Sequence, residues 1–303
     1  MTEGPMIFDR ALIRRRQRRA AALGPATFLL DRVADDLAER LQIVLRQFDV
    51  ALDLGTPGEA VRTALVGLRS ISTIVATSAI PDLAVRTHQT ERLVVADEEA
   101  LPFRDASLDL VVSALALQFV NDLPGALLQI RRALKPDGLF LAALLGGESL
   151  TELRQAFAAA ESDIEGGVSP HVAPFADLRD LGALLQRAGF ALPVTDTDHL
   201  IVRYNTVFGL THDLRRMGAT NALLDRRRAP LKRATLMRMA EIYAQRFADA
   251  DGRVRATFEI VWLSGWAPHP RQQQPLKPGS ASTRLADALG TPEISAGEKA
   301  GPK

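Results

Sequence analysis

The sequence has no cysteine. That excludes disulfides, thiolate zinc sites and cysteine-bound iron–sulfur clusters, and it fits a reducing compartment. Net charge is almost absent as well, at +1 over 303 residues, so no global field points to nucleic acid or to an acidic membrane. No apolar run reaches the roughly 20 residues that a membrane span needs. The first residues lack the apolar core of a secretory signal, and no internal repeat is visible. The expectation is a soluble, cytoplasmic protein with no nucleic-acid partner and no membrane span.

What is present is a hydrophobic fraction of 47%, enough for one α/β domain or one domain with an insertion. The stretch from Leu93 to Gly147 organises the rest. Its apolar runs Leu108–Leu117 and Leu139–Leu145 are too uniformly apolar for half-exposed strands and read as parallel strands covered on both faces. Between them, Asn121-Asp122-Leu123-Pro124 offers a capping side chain and an early proline for a helix. Leu127, Leu128, Ile130 and Leu134 give that helix an apolar side. Lys135-Pro136-Asp137-Gly138 stops it and turns the chain into the next strand. The unit is strand–helix–strand, with a right-handed crossover.

Several short motifs follow one another in a telling order. They are Phe8-Asp9-Arg10-Ala11-Leu12, Ala96-Asp97-Glu98, Leu101-Pro102-Phe103, Asp109-Leu110-Val111, Asn121-Asp122-Leu123-Pro124, Leu134-Lys135-Pro136-Asp137-Gly138, Gly146-Gly147-Glu148-Ser149-Leu150 and Ser169 to Phe175. Together they resemble class I S-adenosylmethionine (SAM)-dependent methyltransferases, over roughly residues 7 to 268. Within that family the chain is most similar to the methyltransferase-like complex I assembly factors and their bacterial, biotin-pathway relatives. The resemblance implies a Rossmann-like α/β fold: a mostly parallel seven-stranded sheet with an antiparallel edge strand and helices on both faces. It also implies SAM as cofactor.

Carried onto this sequence, the family's glycine turn D-x-G-x-G-x-G falls on Asp53-Leu54-Gly55-Thr56-Pro57-Gly58-Glu59. Asp53 and Gly55 stand, Gly58 is one residue out of register, and Pro57 and Glu59 occupy glycine positions. Glycine is wanted there because a Cβ blocks the cofactor and the turn uses positive φ; proline also removes an N–H donor. Two readings stand: a cofactor-binding turn, and a strand–helix turn that no longer grips one. The resemblance places Thr77 (with Ser78 beside it and Asp82 a turn later) at the ribose, where a hydroxyl accepts more weakly than a carboxylate. It places Asp97 and Glu98 beside the adenine, against the plain reading of a helix cap or surface turn. Ser113 to Gln118 follow the fourth strand, where the resemblance places the methyl group and acceptor, with Ser113 and Ala114 against the cofactor.

Elsewhere, residues 1–46 read as an N-terminal helical segment. Its first helix carries arginines at 10, 14, 15, 16, 18 and 19, which face an anionic lipid, a partner or only water; a basic, amphipathic stretch of this kind also reads as a transit peptide. Because the strand pattern begins near Phe48, residues 1–23 read as dispensable for folding. Residues 47–267 form the methyltransferase-like domain, with a helical insertion about 206–250 that includes the basic run Arg226-Arg227-Arg228. Ala256–Trp266 is the last strand, antiparallel beside Thr195–Tyr204, and 268–303 read as a disordered tail. His171 is the best placed of five histidines for acid–base work; the plain alternative is a structural histidine.

Four functions follow from these readings: methyl transfer to a small-molecule, carrier-bound or protein acceptor; a catalytically degenerate fold serving as a complex I assembly factor on a respiratory-complex subunit; hydroxylation of an arginine on such a subunit; and esterification of an acyl-carrier protein. The first leads. No histidine opens an H-x-D or H-x-E triplet, so no iron site of that pattern is recognisable, and no metal site is expected.

Overall fold

The computed structural model describes residues 6–81, 92–273, 280 and 283–292, which divide into two compact units, Met1–Pro268 and His269–Lys303. The first unit holds the strands β1 (Phe48–Asp53), β2 (Ile71–Ser78), β3 (Leu93–Val95), β4 (Leu108–Ala114), β5 (Leu134–Leu145), β6 (Ala191–Tyr204) and β7 (Val254–Trp266). Its helices are α1 (Arg10–Leu23), α2 (Phe28–Gln42), α3 (Ala60–Val66), α4 (Leu123–Ala133), α5 (Thr151–Glu165), α6 (Leu178–Arg187), α7 (Val207–Arg216) and α8 (Arg233–Phe247). In the second unit a five-residue helix, α9 (Leu285–Leu289), ends at Gly290 with φ 63°. The rest of the expected tail lies mostly outside the described residues, as does Asp82.

The strands form one sheet in the order β3–β2–β1–β4–β5–β7–β6. β7 alone runs against its neighbours, between β5 and the edge strand β6. The centre is where the uniform apolar runs placed it. Val111 of β4 lies between Leu52 of β1 and Phe140 of β5, and none of the three is exposed. Alternate residues serve opposite faces. Leu110, Val112, Leu139 and Leu141 pack with α2, α3 and α5. Leu52, Val111, Phe140 and Leu144 pack with α4 and α6.

Local chemistry sets the joints. Asp122 caps α4 by accepting the Gly125 N–H at 2.8 Å. Asn121 is thereby left to hold the N-terminus: its Oδ1 accepts the N–H groups of Ile7 and Phe8 at 2.9 and 2.8 Å. The Lys135–Gly138 turn differs from the expected helix stop. β5 already begins at Leu134, paired with Leu108, and pairing resumes at Leu110 with Leu139. The four residues between them bulge out, with Asp137 at φ 66°. A Cβ on Gly138 would fall 2.9 Å from the Lys135 carbonyl oxygen and 3.1 Å from that of Asp109, so only glycine fits.

Both N-terminal helices belong to the first unit rather than standing apart from it. The apolar stripe of α2 (Leu29, Val33, Leu37, Leu41) is core. α1 is anchored by a smaller cluster in which Phe8, Leu12 and Ile13 pack on Ala222 and Leu223, with Phe119 and Ala173 beside them. Phe8 also bridges to Leu223 through the backbone. Residues 1–23 were expected to be dispensable for folding; of these, Ile7, Phe8, Leu12 and Ile13 make long-range contacts that the strand pattern does not show. The region expected as a helical insertion holds α7 and α8, and α8 lies along α5.

Candidate functional site

The carboxyl ends of β1, β2 and β4 meet at the turn 53–59, where open α/β sheets bind their ligands. Asp53 ends β1 at 1% exposure, and its Oδ2 accepts Nη1 of Arg62, on α3, at 3.1 Å. Arg62 also donates to the Gly58 carbonyl. Asp53 Oδ1 and Arg62 Nε have no hydrogen-bond partner. Burial pushes the Asp53 carboxyl up to about 6, against the pull of Thr56 and Arg62.

Gly55 holds the turn at φ 68°, and its N–H donates to Thr77 Oγ1 at 3.0 Å. Thr77 is buried and points its hydroxyl at the Asp53 carbonyl, 3.4 Å away. Placed by resemblance at a ribose, it instead braces the turn. Ser113 and Ala114 are fully buried. Ser113 Oγ donates to the Leu54 carbonyl at 2.8 Å, and the Ala114 N–H donates to Thr56 Oγ1 at 3.1 Å. Both therefore pin β4 to the β1 turn. Gly58 has φ 76° with nothing near its missing Cβ, so backbone conformation alone keeps it glycine. Glu59 is the cap residue of α3 and makes no side-chain capping bond.

Asp97 and Glu98 face a guanidinium. Arg10, in the first turn of α1, donates Nη2 to Asp97 Oδ1 at 2.5 Å and to Glu98 Oε2. Its Nη1 reaches the Phe119 carbonyl at 3.3 Å, and Arg14, one turn on, takes Asp97 Oδ2. Burial disfavours the Arg10 charge, but Glu98 and then Asp97 outweigh it and raise its pKa. Burial likewise pushes Asp97 up, yet the Glu99 N–H and the two arginines bring it below its ordinary value.

The side chain of Glu98 lies over Gly55. A Cβ built on that glycine would fall 2.5 Å from Glu98 Oε1 and 2.7 Å from its Cγ. The bare space that the glycine turn creates is thus occupied by the chain itself. In this arrangement a cofactor reaching Gly55 would have to displace the Glu98 side chain, and Asp97 and Glu98 hold a cation where the resemblance places the adenine.

His171 stands elsewhere, in the loop after α5. Its Nε2 lies 2.8 Å from Glu161 Oε1, and its ring stacks on Phe157 at 3.9 Å and 9°. Ser169 donates its N–H at 2.5 Å and its hydroxyl at 2.7 Å to the same carboxylate. No hydrogen bond joins His171 to the turn residues. Among the described residues, no group of three or more His, Asp or Glu side chains gathers to hold a metal. Sequence reasoning missed Arg10, Arg14, Arg62 and Glu161. Arg10 left a signal as part of the motif Phe8-Asp9-Arg10-Ala11-Leu12, and Arg62 as a lone charge inside the mostly apolar run AVRTALV.

Comparison with known proteins agrees with the fold. Residues 52–142 match the model of the methyltransferase domain family. The arginine hydroxylase NDUFAF5 of Danio rerio is 38% identical over 94% of this chain and 90% of its own. A malonyl-[acyl-carrier protein] O-methyltransferase of Gallionella capsiferriformans is 33% identical over 88% of this chain and 93% of its own. The crystal structure of a Bacillus halodurans protein described as a methyltransferase superposes with a TM-score of 0.53 at 19% identity. It covers 77% of this chain and 99% of that one.

Proposed function

The chain belongs to the methyltransferase-domain family that includes the NDUFAF5 arginine hydroxylases and the malonyl-[acyl-carrier protein] O-methyltransferases, and we propose that within it this protein serves complex I assembly by recognising an arginine of a protein client. The observation that carries this reading is the guanidinium of Arg10 held between Asp97 and Glu98 at the carboxyl end of the sheet. Two carboxylates set around one flat cation suit the fork of an arginine side chain. Adenosine offers no positive charge to such a pair. Arg10 then acts as an internal stand-in, and a client arginine exchanges with it. The full-length similarity to arginine hydroxylases supports the same choice. A cytoplasmic location, expected from the absence of cysteine, is part of the proposal.

Calorimetry on an Arg10→Ala, Arg14→Ala double variant tests this. An arginine-bearing peptide should bind the variant, and the same peptide with lysine should bind at least about tenfold more weakly, or about 1.4 kcal/mol. Absence of binding by the arginine peptide, or equal binding by the lysine peptide, would sink the idea.

A second reading, SAM-dependent methyl transfer to a small-molecule, carrier-bound or protein acceptor, is favoured by Gly55, which keeps the left-handed φ of a cofactor turn. It requires Glu98 to leave its seat over that glycine. Binding of S-adenosylhomocysteine by the double variant would choose it.

A further inference from the structure

A second concave site lies between α1, the loop carrying His171 and the segment after α7. It is a cleft of about 480 Å³ lined by Arg16, His171, Asn221, Arg226, Arg227 and Arg228, with Ala229 and Leu231 completing the wall. No carboxylate is among these lining residues. The walls are fixed in place. Asn221 Nδ2 donates to the Pro170 carbonyl at 2.7 Å, and Arg16 Nη1 donates to the carbonyls of Thr220, at 2.6 Å, and Asn221.

The charges around the cleft do not balance. Asp9 answers Arg226 at 3.3 Å. Glu165 answers Arg227 at 3.4 Å but is shared with Lys232 at 2.6 Å. Glu161 stands 3.9 Å from Arg227 and is already engaged by His171. Arg16 donates its hydrogen bonds to carbonyl oxygens, with Asp9 a weak counter-charge already paired with Arg226, and Arg228 is exposed with no carboxylate partner among the described residues. The Arg16 guanidinium accordingly sits below its ordinary pKa, through burial first and then repulsion from Arg226, Arg19 and Arg15. Guanidinium groups that outnumber their counter-charges form a receptor for an anion with many oxygens. The volume falls in the range of small-molecule sites, and Ala229 with Leu231 offers the ligand an apolar side.

We propose that this cleft binds a phosphate-bearing small molecule through Arg16, Arg226, Arg227 and Arg228. His171, held by Glu161 and stacked on Phe157, lines it as a fixed wall. The site is separate from the Asp97–Glu98 pair, and its occupancy does not depend on which reaction the protein serves.

The test is calorimetry of the full chain with inorganic pyrophosphate at low ionic strength, and with malonate as a carboxylate control. Pyrophosphate should give saturable heat that weakens as salt rises, and malonate should bind more weakly. Arg228→Glu, an exposed change, should weaken pyrophosphate binding at least about tenfold, or about 1.4 kcal/mol, without moving the melting temperature. Flotation with phosphatidylglycerol vesicles separates a lipid headgroup from a soluble phosphate; flotation that depends on Arg228 while pyrophosphate gives no heat would overturn the small-molecule site. Absence of heat, heat indifferent to Arg228→Glu, or equal binding of malonate would overturn it too.

Discussion

Asp53 and Arg62 form the most buried ion pair in the site, with side chains 1% and 5% exposed. The carboxyl rises from 3.8 to about 6 through burial, so it ionises less readily folded than unfolded. The folded state therefore binds the proton more tightly between those values. Stability falls as pH rises from 3.8 to about 6 and is level above, a change on the order of 3 kcal/mol. Replacing Arg62 with methionine leaves the carboxylate buried and unpaired, which should cost about 3–5 kcal/mol at pH 8. At pH 5, where Asp53 holds its proton, the cost should be smaller. Denaturant melts at the two pH values check this; an equal loss at both would contradict it. Glu161 has the opposite sign. Burial raises its pKa, but hydrogen bonds from His171 and Ser169 outweigh burial and bring it below 4.5. Its contribution is full above that value and is lost as pH falls through the lower folded one. Glu161→Gln should therefore remove part of the acid sensitivity below pH 4.5, visible as a flatter dependence of melting temperature on pH.

At the scale of elements, α1 acts as a strap over the carboxyl end of the sheet. Its N-cap Asp9 accepts the Leu12 N–H at 2.9 Å, which points Phe8, Leu12 and Ile13 at Leu223 and leaves Arg10 and Arg14 toward Asp97. Deleting residues 1–23 removes these three buried side chains, worth roughly 1.5–3 kcal/mol each. It also strips Asp97 and Glu98 of their cations. The truncated protein should melt well below the full chain; a melting temperature within a degree or two would show the strap to be mere covering. The contacts of α1 were not legible in sequence because they pair residues 87 and 88 positions apart, and nothing local in an arginine-rich helix says which arginine is buried. The strands were legible, because a parallel strand covered on both faces must be apolar throughout, as Leu110, Val111 and Val112 are. The β5 bulge was half legible: the Lys135–Gly138 turn chemistry was visible, but its place within a strand is a matter of register. Val111→Asp would bury a carboxylate between Leu52 and Phe140 and should cost several kcal/mol. A soluble variant melting near wild type would refute the central placement of β4.

At the scale of the unit that holds the sheet, the fold supplies a ligand crevice where β1 and β4 end, and the side chains of Glu98 and Arg10 reach into it. Pro57 removes an N–H from the turn, Glu98 takes the space over Gly55, and Arg10 neutralises the acids that would meet a ligand. Of these, only Pro57 was visible in the sequence. Their convergence was not, since it joins α1, the β1 turn and the residues after β3. The family remains legible in the sheet order, while the guanidinium of Arg10 between Asp97 and Glu98, on which the proposed client preference rests, emerges only from the packed site. The most direct measurement is a calorimetric titration of the full-length wild-type protein with S-adenosylhomocysteine. The expected result is no measurable heat, because binding would have to displace Glu98 from Gly55 and break its pair with Arg10. Saturable binding in the micromolar range would contradict this and restore SAM chemistry as the protein's function.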